Sequence, residues 1–118
     1  MFTTPSSQAQ RRALARQARD AFPPMGVFAI RNLASGSVRV KTSRNVPGAI
    51  NRIGFELRQG THPDKSLQAE WNALGPERFR MDTRELVRQR EDPAFDYVSE
   101  LTLLGALYAA ELATGEAS

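Results

Sequence analysis

Apolar and polar residues alternate in three short segments of the chain, as they do in β-strands with one buried face. In residues 37–42 two valines alternate with Arg39 and Lys41, so one face is apolar and the other is cationic. An apolar run over residues 25–31 precedes this segment, and residues 79–84 alternate in the same way. Between the first two segments, "NLASGS" supplies the Asn, Ser and Gly typical of a hairpin connection. The pattern therefore predicts a β-hairpin and a later third strand.

Four other segments space their apolar residues as an α-helix does, over residues 6–22, 45–60, 64–75 and 98–112. The second of them begins at Asn45, a favourable N-cap, and Gly60 stands where its C-cap is expected. The first ends at two consecutive prolines, which cannot continue a helix. We therefore expect residues 1–24 to form an appended helix and linker, residues 25–113 to form the domain, and residues 114–118 to form a short tail.

The composition is that of an ordinary globular domain, with 118 residues, of which 41% are apolar and 25% are charged. The absence of cysteine excludes a disulfide framework and a thiolate metal site. No apolar stretch is long enough to span a bilayer and no hydrophobic leader is recognisable, so we expect a cytoplasmic protein without a membrane partner. The net charge is +3, and all but two of the sixteen basic residues are arginine. Arginine suits planar contact with phosphate or carboxylate, which favours an anionic partner, although a solvated surface explains the same composition.

The predicted N-terminal helix has two distinct sides. Arg12, Arg16 and Arg19 recur along one side, and an apolar stripe that includes Leu14 and Phe22 runs along another. The arginines are spaced either to contact a nucleic-acid backbone or to form a solvated surface. The apolar stripe would pack against the domain, bind a protein partner or pair two copies of the chain into a homodimer.

An ordered set of short motifs resembles the signature of GIY-YIG nucleases. The signature begins with two strand triplets and a turn, which in this chain read Gly26-Val27-Phe28, Arg39-Val40-Lys41 and Thr42-Ser43-Arg44-Asn45. The stretch "FELRQGTHPDKSLQAEWNALGPERF" is similar to the second half of the family's motifs, and "REDPAFDYVSEL" is similar to one small bacterial branch. The resemblance covers residues 25–112. It implies an α+β fold, with a small three-stranded antiparallel sheet flanked by helices, to which the N-terminal helix is an addition.

The resemblance also implies a phosphodiester-cleaving site made of tyrosine hydroxyls, a glycine, an arginine and a glutamate that holds a divalent metal. Phe28 and Arg39 stand at the tyrosine positions of this chain, and Lys41 stands at the glycine position. Ala49 stands at the arginine position, and Gly105 aligns with the metal-binding glutamate. A lysine repels a divalent cation, and the main carboxylate ligand is missing. We therefore assign no metal ligand and expect no cofactor.

Three residues are candidates for displaced catalytic roles, in which case Mg²⁺ or Mn²⁺ would be the cofactor. Arg52 lies three residues after Ala49 on nearly the same side of the helix, where it would take over the contact with phosphate. Glu100 would reach the sheet only if the last helix were rotated or shifted. His62 is the only histidine, and it is either a general base or a structural residue at a helix entry.

Three functional hypotheses follow. The favoured one is a nuclease-like domain without catalysis that binds DNA, another nucleic acid or another anionic partner. The cations of its contact surface would be Arg39, Lys41, Arg44 and Arg52. We expect no acid to face the cations on the sheet. The second is an active, divalent-metal-dependent DNA endonuclease with displaced catalytic residues. The third is a protein-interaction or regulatory module that uses the N-terminal helix. Arg39 and Lys41 also have a plainer interpretation, as charges on a solvent-facing strand.

Overall fold

The computed structural model describes residues 8–13 and 22–113. The elements after residue 22 are, in order, β1 (Gly26–Asn32), β2 (Val38–Ser43), α1 (Val46–Gln59), α2 (Lys65–Leu74), a single 3-10 turn (Pro76–Arg78), β3 (Phe79–Leu86) and α3 (Tyr97–Glu111). They confirm the expected α+β class. Residues 8–13 are helical with exposed side chains. The rest of the predicted N-terminal helix up to residue 21, with Leu14, Arg16 and Arg19, lies outside the described residues.

The three strands form one antiparallel sheet in the order β2-β1-β3. The hairpin pairs β1 with β2, and β3 pairs with the other side of β1, so β1 is the central strand. Phe28 of β1 lies opposite Lys41 of β2 and opposite Thr83 of β3. The small three-stranded antiparallel sheet implied by the motifs is therefore confirmed, and the cationic strand β2 is an edge strand.

Helices cover the sheet, and β1 is buried among them. Phe28 belongs to a cluster with α1 and α2 that includes the fully buried Leu57 and Leu67. A second cluster joins Met25, just before β1, to Leu101 of α3. Burial of such apolar side chains is the main favourable contribution to folding. None of the described helices combines the length and the apolar character that a membrane span requires.

Side-chain caps place the helix ends close to the positions expected from the sequence. Oδ1 of Asn45 accepts a hydrogen bond from the N–H of Gly48 (3.2 Å) at the start of α1, and Oδ1 of Asp64 accepts one from the N–H of Leu67 (3.1 Å) at the start of α2. Gly60 ends α1 in the left-handed conformation, with φ of 77°. These caps direct the chain from α1 into α2 within a few residues and keep that connection near the end of β2.

Candidate functional site

An open pocket of about 670 Å³ lies between the end of β2, one side of α1 and the connection from α1 to α2. Phe28 and Ile53 belong to the apolar part of its lining. The polar part comes from all three segments, with Lys41 and Ser43 from β2, Arg52 and Glu56 from α1, and His62 and Asp64 from the connection. A concave surface where a few polar groups converge is the usual form of a ligand site.

Lys41 and Arg52 are the cations of this pocket. Both side chains are exposed, and neither forms an ion pair with another residue within the described ranges. Arg52 also borders a smaller pocket of about 310 Å³ at the start of α1, next to Ser43 and Asn45. Arg44 is exposed in the turn between β2 and α1. The structure thus brings Lys41 and Arg52 to one site and leaves Arg44 beside it.

Arg39 does not line the pocket, because it pairs with Glu70 of α2 and with Asp64, the N-cap of that helix. Its Nη2 lies 3.0 Å from Oε2 of Glu70, its Nη1 lies 3.2 Å from Oε1 of the same residue, and its Nε lies 3.3 Å from Oδ2 of Asp64. The expectation that no acid faces the cations of β2 is therefore wrong. Glu70 and Asp64 pair with Arg39, and Asp64 also lines the pocket with Lys41, whose charge helps to lower the pKa of Asp64. The physical reason is that α2 and its N-cap residue Asp64 lie beside β2 and bring both carboxylates to Arg39. The alternation within the strand does not contain this proximity.

The contacts around Arg39 shift the pKa values of the groups that make them. Hydrogen bonds from Arg39 and Asn32 lower the pKa of the Glu70 carboxyl. The backbone N–H of Leu67 is the main cause of the lowered pKa of Asp64, and nearby positive charge adds to it. The hydrogen bond to Glu70 in turn raises the pKa of the Arg39 guanidinium. All three groups are therefore charged at neutral pH, and the two carboxylates compensate the positive charge of Arg39.

His62 forms part of the pocket wall and is held from two sides. Its Nδ1 lies 2.9 Å from Oε1 of Glu56, and its backbone N–H donates to Oε1 of Gln68 (3.0 Å). Gln68 is buried and donates in turn to the carbonyl of Leu57 (3.0 Å), which anchors the connection to the end of α1. His62 itself is only 7% exposed. A carboxylate that fixes one ring nitrogen orients the other, an arrangement suited to proton transfer as well as to structure.

Gly105 of α3 lies against β2, at the position where the resemblance places a glutamate. A Cβ at Gly105 would stand 2.8 Å from Cγ2 of Thr42, so the methyl group of Thr42 occupies the space that a side chain needs. Glu100 lies in the first turn of α3, with Oε2 3.5 Å from Nη2 of Arg90, and does not line the pocket.

The resemblance implies a divalent metal, and the positions of the carboxylates decide whether this chain could hold one. Among the described residues, no group of three or more His, Cys, Asp or Glu side chains is arranged to hold a metal ion. Asp64 caps α2 and pairs with Arg39, while Glu56 is hydrogen-bonded to His62. With no carboxylate at Gly105, the residues present do not fit a bound divalent cation.

Phe55 is not among the residues that the motifs mark as site residues, and the structure places it on the solvent side of α1. Its ring is 57% exposed, among the most exposed large apolar residues in the described ranges. The signal was present in the sequence, because Phe55 follows Val46 by two and a half turns at about 3.6 residues per turn. Phe55 is therefore not part of the hydrophobic core that α1 forms with the sheet.

Comparison with known proteins identifies the fold. No family model matches the sequence, and no curated protein matches it. Among solved structures, the catalytic domain of homing endonuclease I-TevI superposes with a TM-score of 0.62 and 20% identity, over 77% of this chain and 90% of that chain. A mutant of the catalytic domain of intron endonuclease I-TevI gives a TM-score of 0.61 and 19% identity, over 76% of this chain and 84% of that chain. The chain therefore has the GIY-YIG nuclease fold that its sequence motifs indicated.

Proposed function

We propose that this domain binds nucleic acid by holding a backbone phosphate between Lys41 and Arg52. The observation that carries the proposal is that these two cations, from different elements, face one open pocket without an ion pair to another described residue. An arginine donates two parallel hydrogen bonds to phosphate, and a lysine adds a compact positive charge. The two similar structures are catalytic domains of an endonuclease, which supports DNA as a ligand.

The contact surface in this proposal differs from the one expected from β2 alone. Arg39 acts as a structural residue that joins β2 to α2, since Glu70 and Asp64 neutralise its charge. Arg44, exposed in the turn before α1, is available for a neighbouring phosphate. The ligand-binding cations are therefore Lys41, Arg52 and Arg44.

The proposed outcome of binding is retention of the ligand without metal-dependent cleavage. Cleavage of that kind depends on a cation that neutralises developing charge and acidifies water. The Thr42 methyl group fills the space that a side chain at residue 105 needs, and Lys41 adds positive charge to the pocket beside α1. Both features favour an anion in the pocket over a divalent cation.

Fluorescence anisotropy of labelled DNA at about 50 and 200 mM salt tests the proposal. We expect binding that weakens steeply with salt, and a Lys41→Ala/Arg52→Ala variant whose log–log salt slope is smaller by about 1.5 to 2. The matched control is Arg78→Ala/Arg80→Ala, which removes the same charge from exposed positions on and next to β3, the opposite edge strand. Equal losses in the two double variants would show that the pocket has no special role.

A second candidate function is phosphodiester hydrolysis, and the contact between His62 and Glu56 beside Arg52 favours it. In this reaction His62 would take a proton from water, the water oxygen would bond to phosphorus, and the bond from phosphorus to the leaving oxygen would break. Solvent would supply the proton to that oxygen, and Arg52 would neutralise the phosphate. Incubation of supercoiled plasmid with and without Mg²⁺ or Mn²⁺ tests this reaction, since the step described uses no metal. Nicking that disappears in both His62→Gln and Arg52→Ala would establish the activity, and intact plasmid at high protein concentration would exclude it.

A further inference from the structure

The exposed ring of Phe55 stands on the ridge of α1 that also carries Arg52. Residues three apart on a helix have their Cβ atoms about 5–6 Å from each other, so the two side chains are neighbours on the surface. Phe55 is 57% exposed, and the apolar side of α1 buries Val46, Ile53 and Leu57 without it. A large and mostly exposed aromatic residue outside the hydrophobic core therefore lies next to a cation of the phosphate pocket.

The charged residues of α1 near Phe55 are Arg52, Glu56 and Arg58, and only Arg52 stands beside the ring with its charge uncompensated by an acid of this helix. Glu56 is the only acid of α1, and its carboxylate is hydrogen-bonded to His62. Arg58 is three residues beyond Phe55, but its side chain folds over Gly54, where a Cβ would lie 3.3 Å from Nη1. The exposed ridge of α1 thus presents the Phe55 ring with Arg52 beside it, while the side chain of Arg58 points toward Gly54.

We propose that Phe55 stacks on an unpaired base of a nucleic-acid strand whose phosphate is held by Arg52. This inference rests on the proposed function and specifies its ligand as single-stranded or locally unpaired nucleic acid. Every base has a face that can stack on an aromatic ring, so such contacts add affinity without sequence preference. In an intact duplex the base faces are stacked on one another, and Phe55 then contributes nothing.

The test compares a labelled single strand with the blunt-ended duplex that it forms with its complement, by fluorescence anisotropy at one salt concentration. We expect the wild-type protein to bind the single strand about tenfold more tightly, and Phe55→Ala to lose that preference. Phe55→Tyr keeps an aromatic ring and should keep the preference. Arg58→Ala is the matched control for a change on the same helix and should also keep it. Phe55 is exposed, so thermal unfolding should show that its variants remain folded.

The outcomes separate this inference from the proposed function. Salt-sensitive binding that needs Lys41 and Arg52 but shows no preference for the single strand would overturn the stacking contact alone. A preference that survives in Phe55→Ala would overturn it as well. Binding that is unchanged in Lys41→Ala/Arg52→Ala would overturn the phosphate pocket and, with it, the role of Phe55.

Discussion

Arg39 of β2 and Glu70 of α2 form a two-point contact, with nitrogen–oxygen distances of 3.0 and 3.2 Å. Glu70 also accepts a hydrogen bond from Nδ2 of Asn32 (3.0 Å), the last residue of β1. The side chain of Asn32 is buried, and its Oδ1 accepts from the backbone N–H groups of Ala34 and Ser35 in the hairpin turn. One carboxylate therefore connects α2 to the edge strand and to the turn of the hairpin.

Replacing Arg39 with alanine should destabilise the fold. The change removes a charged donor from Glu70, and hydrogen bonds to charged groups contribute about 1.5–3 kcal/mol. We expect the free energy of unfolding, measured in urea, to decrease by an amount in that range. Arg80→Ala, at an exposed position of β3, should change it by less than about 0.5 kcal/mol. Similar values for the two variants would mean that the Arg39 contact does not stabilise the domain.

The ionised Glu70 carboxyl makes the stability of the domain depend on pH. Its pKa is lowered in the folded protein by hydrogen bonds from Arg39 and Asn32, so folding favours the charged form. This contribution is complete above the ordinary glutamate pKa of about 4.3 and is lost as the pH falls through the lowered folded-state value. Below about pH 4.3, the free energy of unfolding should fall more steeply for the wild type than for Glu70→Gln. Thermal unfolding across the acid range measures both, and parallel curves would contradict the assignment.

Gly105 should resist a substitution that usually stabilises a helix. Alanine is better than glycine in a helix interior by about 1 kcal/mol, but its Cβ would meet the Thr42 methyl group at 2.8 Å. We therefore expect Gly105→Ala to give no gain, or a loss of about 1 kcal/mol from overpacking. In a Thr42→Ser background, which lacks that methyl group, the same change should recover the gain. A double-mutant cycle from urea unfolding measures the coupling, and additive effects would argue against the contact.

Removal of residues 1–21 should leave the domain folded. The described part of that segment, residues 8–13, is exposed, whereas Phe22 packs on Tyr97 with ring centroids 5.3 Å apart. We expect the melting temperature of the truncated chain to change by less than about 2 °C. Phe22→Ala should lower the free energy of unfolding by about 1–2 kcal/mol, because it removes an aromatic contact and buried apolar area. A large drop on truncation would instead mean that the N-terminal segment packs on the domain.

Local sequence features predicted most of the fold. The alternation in β2, the Asn45 cap and Gly60 belong to neighbouring residues, and the structure has each of them in its expected place. The motifs also implied the three-stranded sheet, because their order along the chain carries information about topology. The site was harder to predict, since Lys41, Arg52 and His62 meet only through packing.

The environment of Arg39 depends on packing that the pattern of β2 does not contain. The strand pattern placed Arg39 and Lys41 on one face, but the two side chains have different surroundings. Glu70 is thirty-one residues away from Arg39 in sequence, and the pairing depends on where α2 lies relative to β2. The residue pattern within β2 or within α2 does not show that Arg39 and Glu70 will pair. The exposure of Phe55, in contrast, follows from a local relation, because this residue lies opposite the apolar stripe of α1.

The contact between Gly105 and Thr42 also limits the mutational paths open to this domain. A glutamate introduced at residue 105 meets the methyl group first, so that single substitution costs stability as long as Thr42 is present. Shortening residue 42 beforehand removes the obstacle, which makes the order of the two steps matter. Relatives in which both positions differ together would record such a path, and directed evolution toward nuclease activity should begin at residue 42.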